Sequence, residues 1–121
     1  MSENLLISVV IPTYNRADFI LKTLNSILDQ EYQNFEVIIV DDGSTDNTLQ
    51  LLEKVEDPRL KIIPIKNSER AAARNRGAEA ATGAYVNFFD SDDLALRNHL
   101  STAVQTIIKF KYPEIFHLNV E

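Results

Sequence analysis

Cysteine is absent from this 121-residue chain, which excludes a disulfide scaffold, a thiolate metal site and a cysteine nucleophile. Its absence fits a reducing compartment. Basic residues are short by comparison with acidic ones, twelve against eighteen, for a net charge of −6. With no cationic surplus to displace counterions, nonspecific binding to nucleic acid or anionic lipid is disfavoured. Long apolar runs are missing too. The longest candidate, Leu5–Ile11, is broken by Ser8 and stopped by Pro12, far short of a bilayer span. Met1-Ser2-Glu3-Asn4 lacks the basic start of a secretory leader. The expectation is a cytoplasmic protein with no transmembrane segment, leaving peripheral membrane association open for a longer chain. The three glycines form neither Gly-x-Gly-x-x-Gly nor a Walker loop, so dinucleotide and P-loop chemistry are not indicated.

What is present is an ordinary globular balance, 45% hydrophobic and 25% charged. The length suits one domain over residues 1–121, although it is short for an enzyme with two substrates. Short apolar, β-branched runs occur at Leu6–Ile11, Phe35–Val40, Leu60–Ile65, Tyr85–Phe89 and Ile115–Val120. The first two are nearly all apolar, as parallel strands covered on both faces require. Helical spacing falls between them. Ile20, Leu24, Ile27 and Leu28 make one stripe, Leu49, Leu52 and Val55 a shorter one, and Leu96, Leu100, Ala103, Val104 and Ile107 a longer one. Glu69–Ala81 is helical by its alanines, whose small side chains permit close packing on a sheet. Strict alternation of this kind predicts an α/β fold with a mostly parallel sheet flanked by helices.

Ligands of open α/β sheets bind beyond the carboxyl ends of the strands. The first strand is followed by Pro12-Thr13-Tyr14-Asn15-Arg16, the second by Asp41-Asp42-Gly43-Ser44-Thr45-Asp46, the fourth by Asp90-Ser91-Asp92-Asp93. Parallel strands would gather these acids on one rim, where they repel unless a cation intervenes. A divalent metal with oxygen ligands answers that, and Asp-x-Asp places two carboxylates within reach of one ion. Arg70 and Arg74, four apart on one helix face, could reach the rim or a bound phosphate. Helix capping competes as an explanation: Asp46 or Thr45 would cap a helix from Asn47, and one of Asp92 and Asp93 another. Capping uses one acid per helix and leaves the paired clusters unexplained. Tyr14 could stack on a base or simply pack. His99 and His117 read as packing or surface residues.

In this order and spacing, Val9-Val10-Ile11-Pro12-Thr13-Tyr14-Asn15-Arg16, Val40-Asp41-Asp42-Gly43-Ser44-Thr45-Asp46, Ala73-Arg74-Asn75-Arg76-Gly77 and Phe89-Asp90-Ser91-Asp92-Asp93 resemble the family 2 glycosyltransferases across nearly the whole chain. The resemblance implies a Rossmann-like nucleotide-diphospho-sugar transferase fold of the glycosyltransferase A type. It implies transfer from a nucleotide-diphosphate donor, commonly a UDP-sugar, to an acceptor hydroxyl by a single inverting displacement. By this resemblance Thr13, Tyr14 and Asn15, flanked by Pro12 and Arg16, lie along the nucleoside. Asp42, with Asp41 beside it, accepts a hydrogen bond from the base. Arg74, with Arg70 near it, lines the nucleotide pocket. Asp90 and Ser91 face the ribose, and Asp92, with Asp90, holds Mn²⁺ or Mg²⁺ across the diphosphate, where a Lewis acid stabilises the leaving charge. The acceptor, a carbohydrate or a lipid-linked group of polysaccharide, lipopolysaccharide or glycoprotein assembly, is left open.

The family takes its carboxylate base from the half of the fold beyond the fifth strand, so the base is expected beyond Glu121. The chain then reads as the nucleotide-sugar-binding part of a longer enzyme, truncated after the fifth strand. It is expected to bind a metal–nucleotide complex without efficient transfer, and to be open to self-association through an uncovered sheet edge. Three rival readings fit parts of the pattern. A haloacid-dehalogenase-type phosphatase would match Phe88-Phe89-Asp90-Ser91-Asp92, but its motif follows the first strand. A receiver domain lacks its lysine here. A noncatalytic nucleotide-sugar-binding or interaction module would use the acids as caps.

Overall fold

Ile7, Val9 and Ile11 alternate with Ser8 and Val10, and in a strand that alternation decides which layer each side chain joins. In a computed structural model, which describes residues 5–67 and 70–110, β1 (Ile7–Thr13) sends Ile7, Val9 and Ile11 into one hydrophobic cluster and Val10 into another. β2 (Phe35–Asp42) divides likewise, Phe35, Val37 and Ile39 to the first face, Ile38 and Val40 to the second. Cover on both faces is why these strands lose the polar half of the usual pattern. With β3 (Leu60–Ile65) and β4 (Tyr85–Phe88) they form a four-stranded sheet in the order β3-β2-β1-β4, every pair parallel. Ile7 stands opposite both Phe35 and Tyr85, Thr13 opposite Asp41, and Asp42 opposite Ile65.

The helices are α1 (Ile20–Leu28), α2 (Thr48–Glu53), α3 (Arg70–Ala80) and α4 (His99–Lys109). Ile20, Leu24 and Ile27 of α1, Leu52 of α2, and Leu100, Val104 and Ile107 of α4 fill the first cluster. The second face takes α3, whose buried contribution is Ala73. The expectation of close packing by small residues holds most sharply at Gly77. A Cβ there would overlap Val10 Cγ1 and lie 3.2 Å from Val40 Cγ2, so the helix axis sits nearer the sheet than an alanine would allow.

The predicted fold class is the observed one, and the differences lie at element ends. Both central strands run two residues past their last apolar position, through Thr13 and Asp42, because ladder hydrogen bonds do not depend on side-chain polarity. β4 stops at Phe88, one residue short of the expected end. Leu96 precedes α4 and is exposed, and Val55 follows α2 yet still packs on the first cluster. The expected strand Ile115–Val120 and His117 lie outside the described residues. Among the described residues no helix is long and apolar enough to cross a membrane.

Two buried polar residues matter to stability. Glu36 lies on the second face, where its carboxylate accepts from the Ser8 hydroxyl at 2.6 Å, the Thr82 N–H at 2.7 Å and the Thr82 hydroxyl at 3.0 Å, and pairs with Lys61 Nζ at 3.0 Å. His99 opens α4, buried edge-on to Phe89 with ring centroids 5.4 Å apart and Nε2 3.0 Å from Asn87 Oδ1. Burial lowers the His99 pKa from 6.5, since a charged imidazole would lose its hydration. The unfolded chain therefore takes up this proton first as pH falls, and stability drops below about pH 6.5 until the folded imidazole protonates as well. Urea unfolding between pH 7 and 5 is expected to show this acid limb in the wild type and not in His99→Phe.

Candidate functional site

The chain winds from β1 outward through β2 to β3, then returns to lay β4 on the other side of β1. Connections leaving the sheet in opposite senses part between β1 and β4, and that switch point is where such sheets open a crevice at their carboxyl ends. A cleft of about 560 Å³ is found there. Pro12 through Arg16 border it from the end of β1, Asp42 from the end of β2, Ala73 from α3 and Ser91 from the turn after β4. A smaller recess of about 60 Å³ joins Pro12 to Arg74, Phe88, Phe89 and Asp90.

Strand alternation separates the two adjacent acids. Asp42 shares the face of Ile38 and Val40, borders the cleft and is 7% exposed. Asp41, 2% exposed, points to the other face and braces a turn: the Ser44 hydroxyl donates to its Oδ1 at 2.5 Å and the Ser44 N–H to its Oδ2 at 3.3 Å. The paired carboxylates thus have different surroundings, and Asp41 is not among the cleft-lining residues.

The loop after β1 is tied to the loop after β2. The Asn15 N–H donates to Ser44 Oγ at 2.9 Å, the Arg16 N–H to Thr48 Oγ1 at 2.9 Å, and the Ala17 N–H to Asp46 Oδ2 at 3.3 Å. Asp46 in turn accepts from the Thr48 N–H and hydroxyl, whose hydroxyl bond leads in holding its carboxyl below the usual range. Asp46 so satisfies the first turn of α2 as expected, although Asn47 occupies the cap position. Asp92 and Asp93 do nothing of the kind. α4 begins behind Asn98, which removes helix capping as the reason for the second acidic cluster.

Asp90, Asp92 and Asp93 are exposed, and each offers a carboxylate oxygen within 4.8 Å of the others. Hard oxygen donors at this spacing suit Mg²⁺ or Mn²⁺. The cluster belongs to the cleft because Arg16, which borders the cleft, reaches across to it, Nη2 lying 3.6 Å from Asp92 Oδ2. The side chains are 40% and 58% exposed, so this ion pair is weakly held and free to exchange partners. Arg74 stacks its guanidinium 4.5 Å over the Phe88 ring, beside Asp90. The side chain of Arg70, the first residue of α3, lies outside what is described. Tyr14 is exposed at the cleft. Among the described residues three buried side-chain atoms lack a hydrogen-bond partner, and two of them, Thr13 Oγ1 and Arg16 Nε, belong to cleft residues. A buried hydroxyl left unpaired is costly and calls for a partner.

Sequence reasoning missed two cleft residues, Ala73, which it quoted only within a motif, and Asn67, which it did not mention. Asn67 follows β3, and its Nδ2 donates to the Asp42 carbonyl at 2.9 Å. The rule that ligands gather beyond carboxyl ends applied equally to β3, whose end carries no acid to draw notice.

Comparison with known proteins bears on the family and the fold. Residues 8–112 match the family described as glycosyl transferase family 2. The putative teichuronic acid biosynthesis glycosyltransferase TuaG of Bacillus subtilis is 41% identical over 107 residues, covering 86% of this chain and 42% of that protein. S. aureus TarS 1-349, crystallised in complex with UDP-GlcNAc, superposes with a TM-score of 0.80 at 39% identity, over 85% of this chain and 31% of that one. The mannosyltransferase PcManGT from Pyrobaculum calidifontis, in complex with GDP-Man and Mn²⁺, gives 0.77 at 33% identity, over 84% and 32%. The chain spans 14–42% of the length of the first curated relatives it matches.

Proposed function

The chain belongs to glycosyl transferase family 2, and on that premise we propose that it is the donor-binding part of an enzyme that moves a sugar from a nucleotide diphosphate, most simply uridine diphosphate, to an acceptor hydroxyl. One observation carries the proposal: Arg16 lines the same cleft as Asp42 and Thr13 while contacting Asp92, so the nucleoside-sized cavity and the acidic turn form one site. The complexes of TarS with UDP-GlcNAc and of PcManGT with GDP-Man and Mn²⁺ support the donor class.

In this reading exposed Tyr14 meets the nucleoside, with Thr13 at the cleft's edge. Asp42 accepts from the base, and Arg74 beside Asp90 faces the diphosphate. Asp92 with Asp90 would hold Mn²⁺ or Mg²⁺, which supplies charge neutralisation at the leaving diphosphate. The inverting course, a carboxylate base acting on the acceptor, a carbohydrate or lipid-linked acceptor, and pairing through the β4 edge are parts of the same proposal. Among the described residues β4 is an outer strand of the sheet.

The test is calorimetric titration of the chain with uridine diphosphate, with and without Mn²⁺. Wild type is expected to bind only with the metal. Asp92→Ala is expected to weaken that binding by about a hundredfold or more, since even the groups behind a metal's direct ligands are worth about 10–100-fold. Equal binding by both proteins, or indifference to manganese, sinks the metal assignment; no binding of any nucleotide sinks the donor reading.

A further inference from the structure

We propose that Asn15 is a positioning residue, which locks the loop after β1 to the loop after β2 so that Tyr14 and Arg16 face the cleft, and that its side-chain oxygen is spent on this lock and not on the ligand. The proposal rests on the donor-site reading for its binding arm only.

The hydrogen-bond capacity of Asn15 is the first ground. A primary amide has one carbonyl oxygen with two lone pairs. Asn15 Oδ1 accepts from the Thr45 N–H at 2.7 Å and from the Asp46 N–H at 3.3 Å. Its Nδ2 donates to Thr45 Oγ1 at 3.2 Å. Two backbone donors facing one side-chain atom also settle which atom is the oxygen. The acceptor is therefore fully used inside the protein, although Asn15 borders the cleft.

The backbone is the second ground. Asn15 has φ of +51°, a left-handed conformation that asparagine tolerates better than most residues carrying a Cβ. The reversal happens between two residues that both border the cleft, Tyr14 and Arg16. The Asn15 N–H is anchored through Ser44 Oγ to buried Asp41, and Arg16 is anchored next door through Thr48 to Asp46. This gives Asp41 a role consistent with its inward direction: it fixes the clamp from below. Arg16 reaches Asp92 from that fixed base, so loosening the clamp disturbs the nucleoside side and the acidic side of the site together.

Two variants and the wild type separate the possibilities. Asn15→Gly keeps the backbone conformation and removes the side chain, Asn15→Asp keeps the accepting oxygens, and wild type is the reference. Amide hydrogen exchange is followed at residues 44–48, uridine diphosphate affinity is measured with Mn²⁺, and melting temperature is recorded in parallel. Asn15→Gly is expected to speed exchange at Thr45 and Asp46 and to weaken the nucleotide by about tenfold, the loss of one to two net hydrogen bonds. Asn15→Asp is expected to stay within about threefold of wild type in both readouts, the smaller change following from its retained acceptors. Exchange raised evenly over the whole chain would make the role merely structural and overturn the proposal. So would Asn15→Gly matching wild type, or Asn15→Asp losing affinity while Thr45 and Asp46 stay protected, which would make Asn15 a direct ligand contact. If wild type binds no nucleotide, the donor reading falls while exchange still decides the clamp.

Discussion

Replacing Glu36 with glutamine is expected to lower the unfolding free energy by about 3 kcal/mol at neutral pH and to erase the steep loss of stability in acid. The size follows from its surroundings. Burial alone would raise this carboxyl's pKa, but the hydrogen bonds from Ser8, Thr82 and Lys61 outweigh it and hold the pKa at about 2, against an ordinary 4.5. A folded value below the unfolded one means that the unfolded chain binds the extra proton between those limits. The stabilisation is therefore complete above pH 4.5 and is lost as pH falls toward 2.

Two contributions could be responsible, and the geometry ranks them. Lys61 is half exposed, so the ion pair alone is screened and worth little. The Ser8 hydroxyl, the Thr82 N–H and the Thr82 hydroxyl all donate to one buried or partly buried oxygen, Oε2, and a neutral glutamine oxygen in its place accepts them far more weakly than a carboxylate does. Lys61→Met should accordingly cost much less than Glu36→Gln. Urea unfolding of both variants from pH 7 down to pH 3 decides the matter, and equal costs would transfer the credit to the ion pair. Glu36 links β2 to β1 through Ser8 and to the segment entering β4 through Thr82, while the Gly83 N–H also donates to Ser8 Oγ at 2.8 Å. It thus holds the amino ends of three strands whose carboxyl ends make the cleft.

Glu36 gives no local signal in the sequence. Within Phe35–Val40 it is one charge in an apolar run, and its partners lie 28 and 46 residues away, beyond any local pattern. What was legible rested on periodicity and punctuation. The expected limits of β3 are the observed ones, and the alanines of α3 point to a helix pressed close to the sheet. That the chain after the first, second and fourth apolar runs gathers on one rim follows from parallel strands alone, and Thr13, Asp42 and Ser91 do border one cleft. The different fates of Asp41 and Asp42 were available in principle, since consecutive strand residues face opposite ways. They were hidden because the apolar run ends at Val40 while the ladder continues to Asp42. Asn67 was hidden by chemistry: an amide after β3 carries no charge to advertise a site.

Gly43→Ala is expected to cost about 2–4 kcal/mol, combining a left-handed backbone penalty with overpacking, and to abolish nucleotide binding even where the variant stays folded. Gly43 has φ of +73°, and a Cβ on it would lie 2.5 Å from Asn67 N, 2.9 Å from its Cα and 3.0 Å from its Cβ. The obstacle is mainly backbone, so no rotamer change relieves it, and the segment after β3 has to move. That movement withdraws the Asn67 side chain from the Asp42 carbonyl, and both residues border the cleft. Gly77→Ala provides the comparison. Its new methyl meets the side chains of Val10 and Val40, costing about 1–3 kcal/mol by overpacking and regaining up to about 1 kcal/mol of helix propensity, with no cleft residue directly displaced. Measured with uridine diphosphate and Mn²⁺ at a temperature where both variants are folded, affinity should vanish in Gly43→Ala and persist in Gly77→Ala. Loss in both would mean that binding follows general stability. Persistence in both would mean that the contact between Asn67 and Asp42 does not shape the site, and that the close approach of Gly43 to Asn67 serves the fold alone.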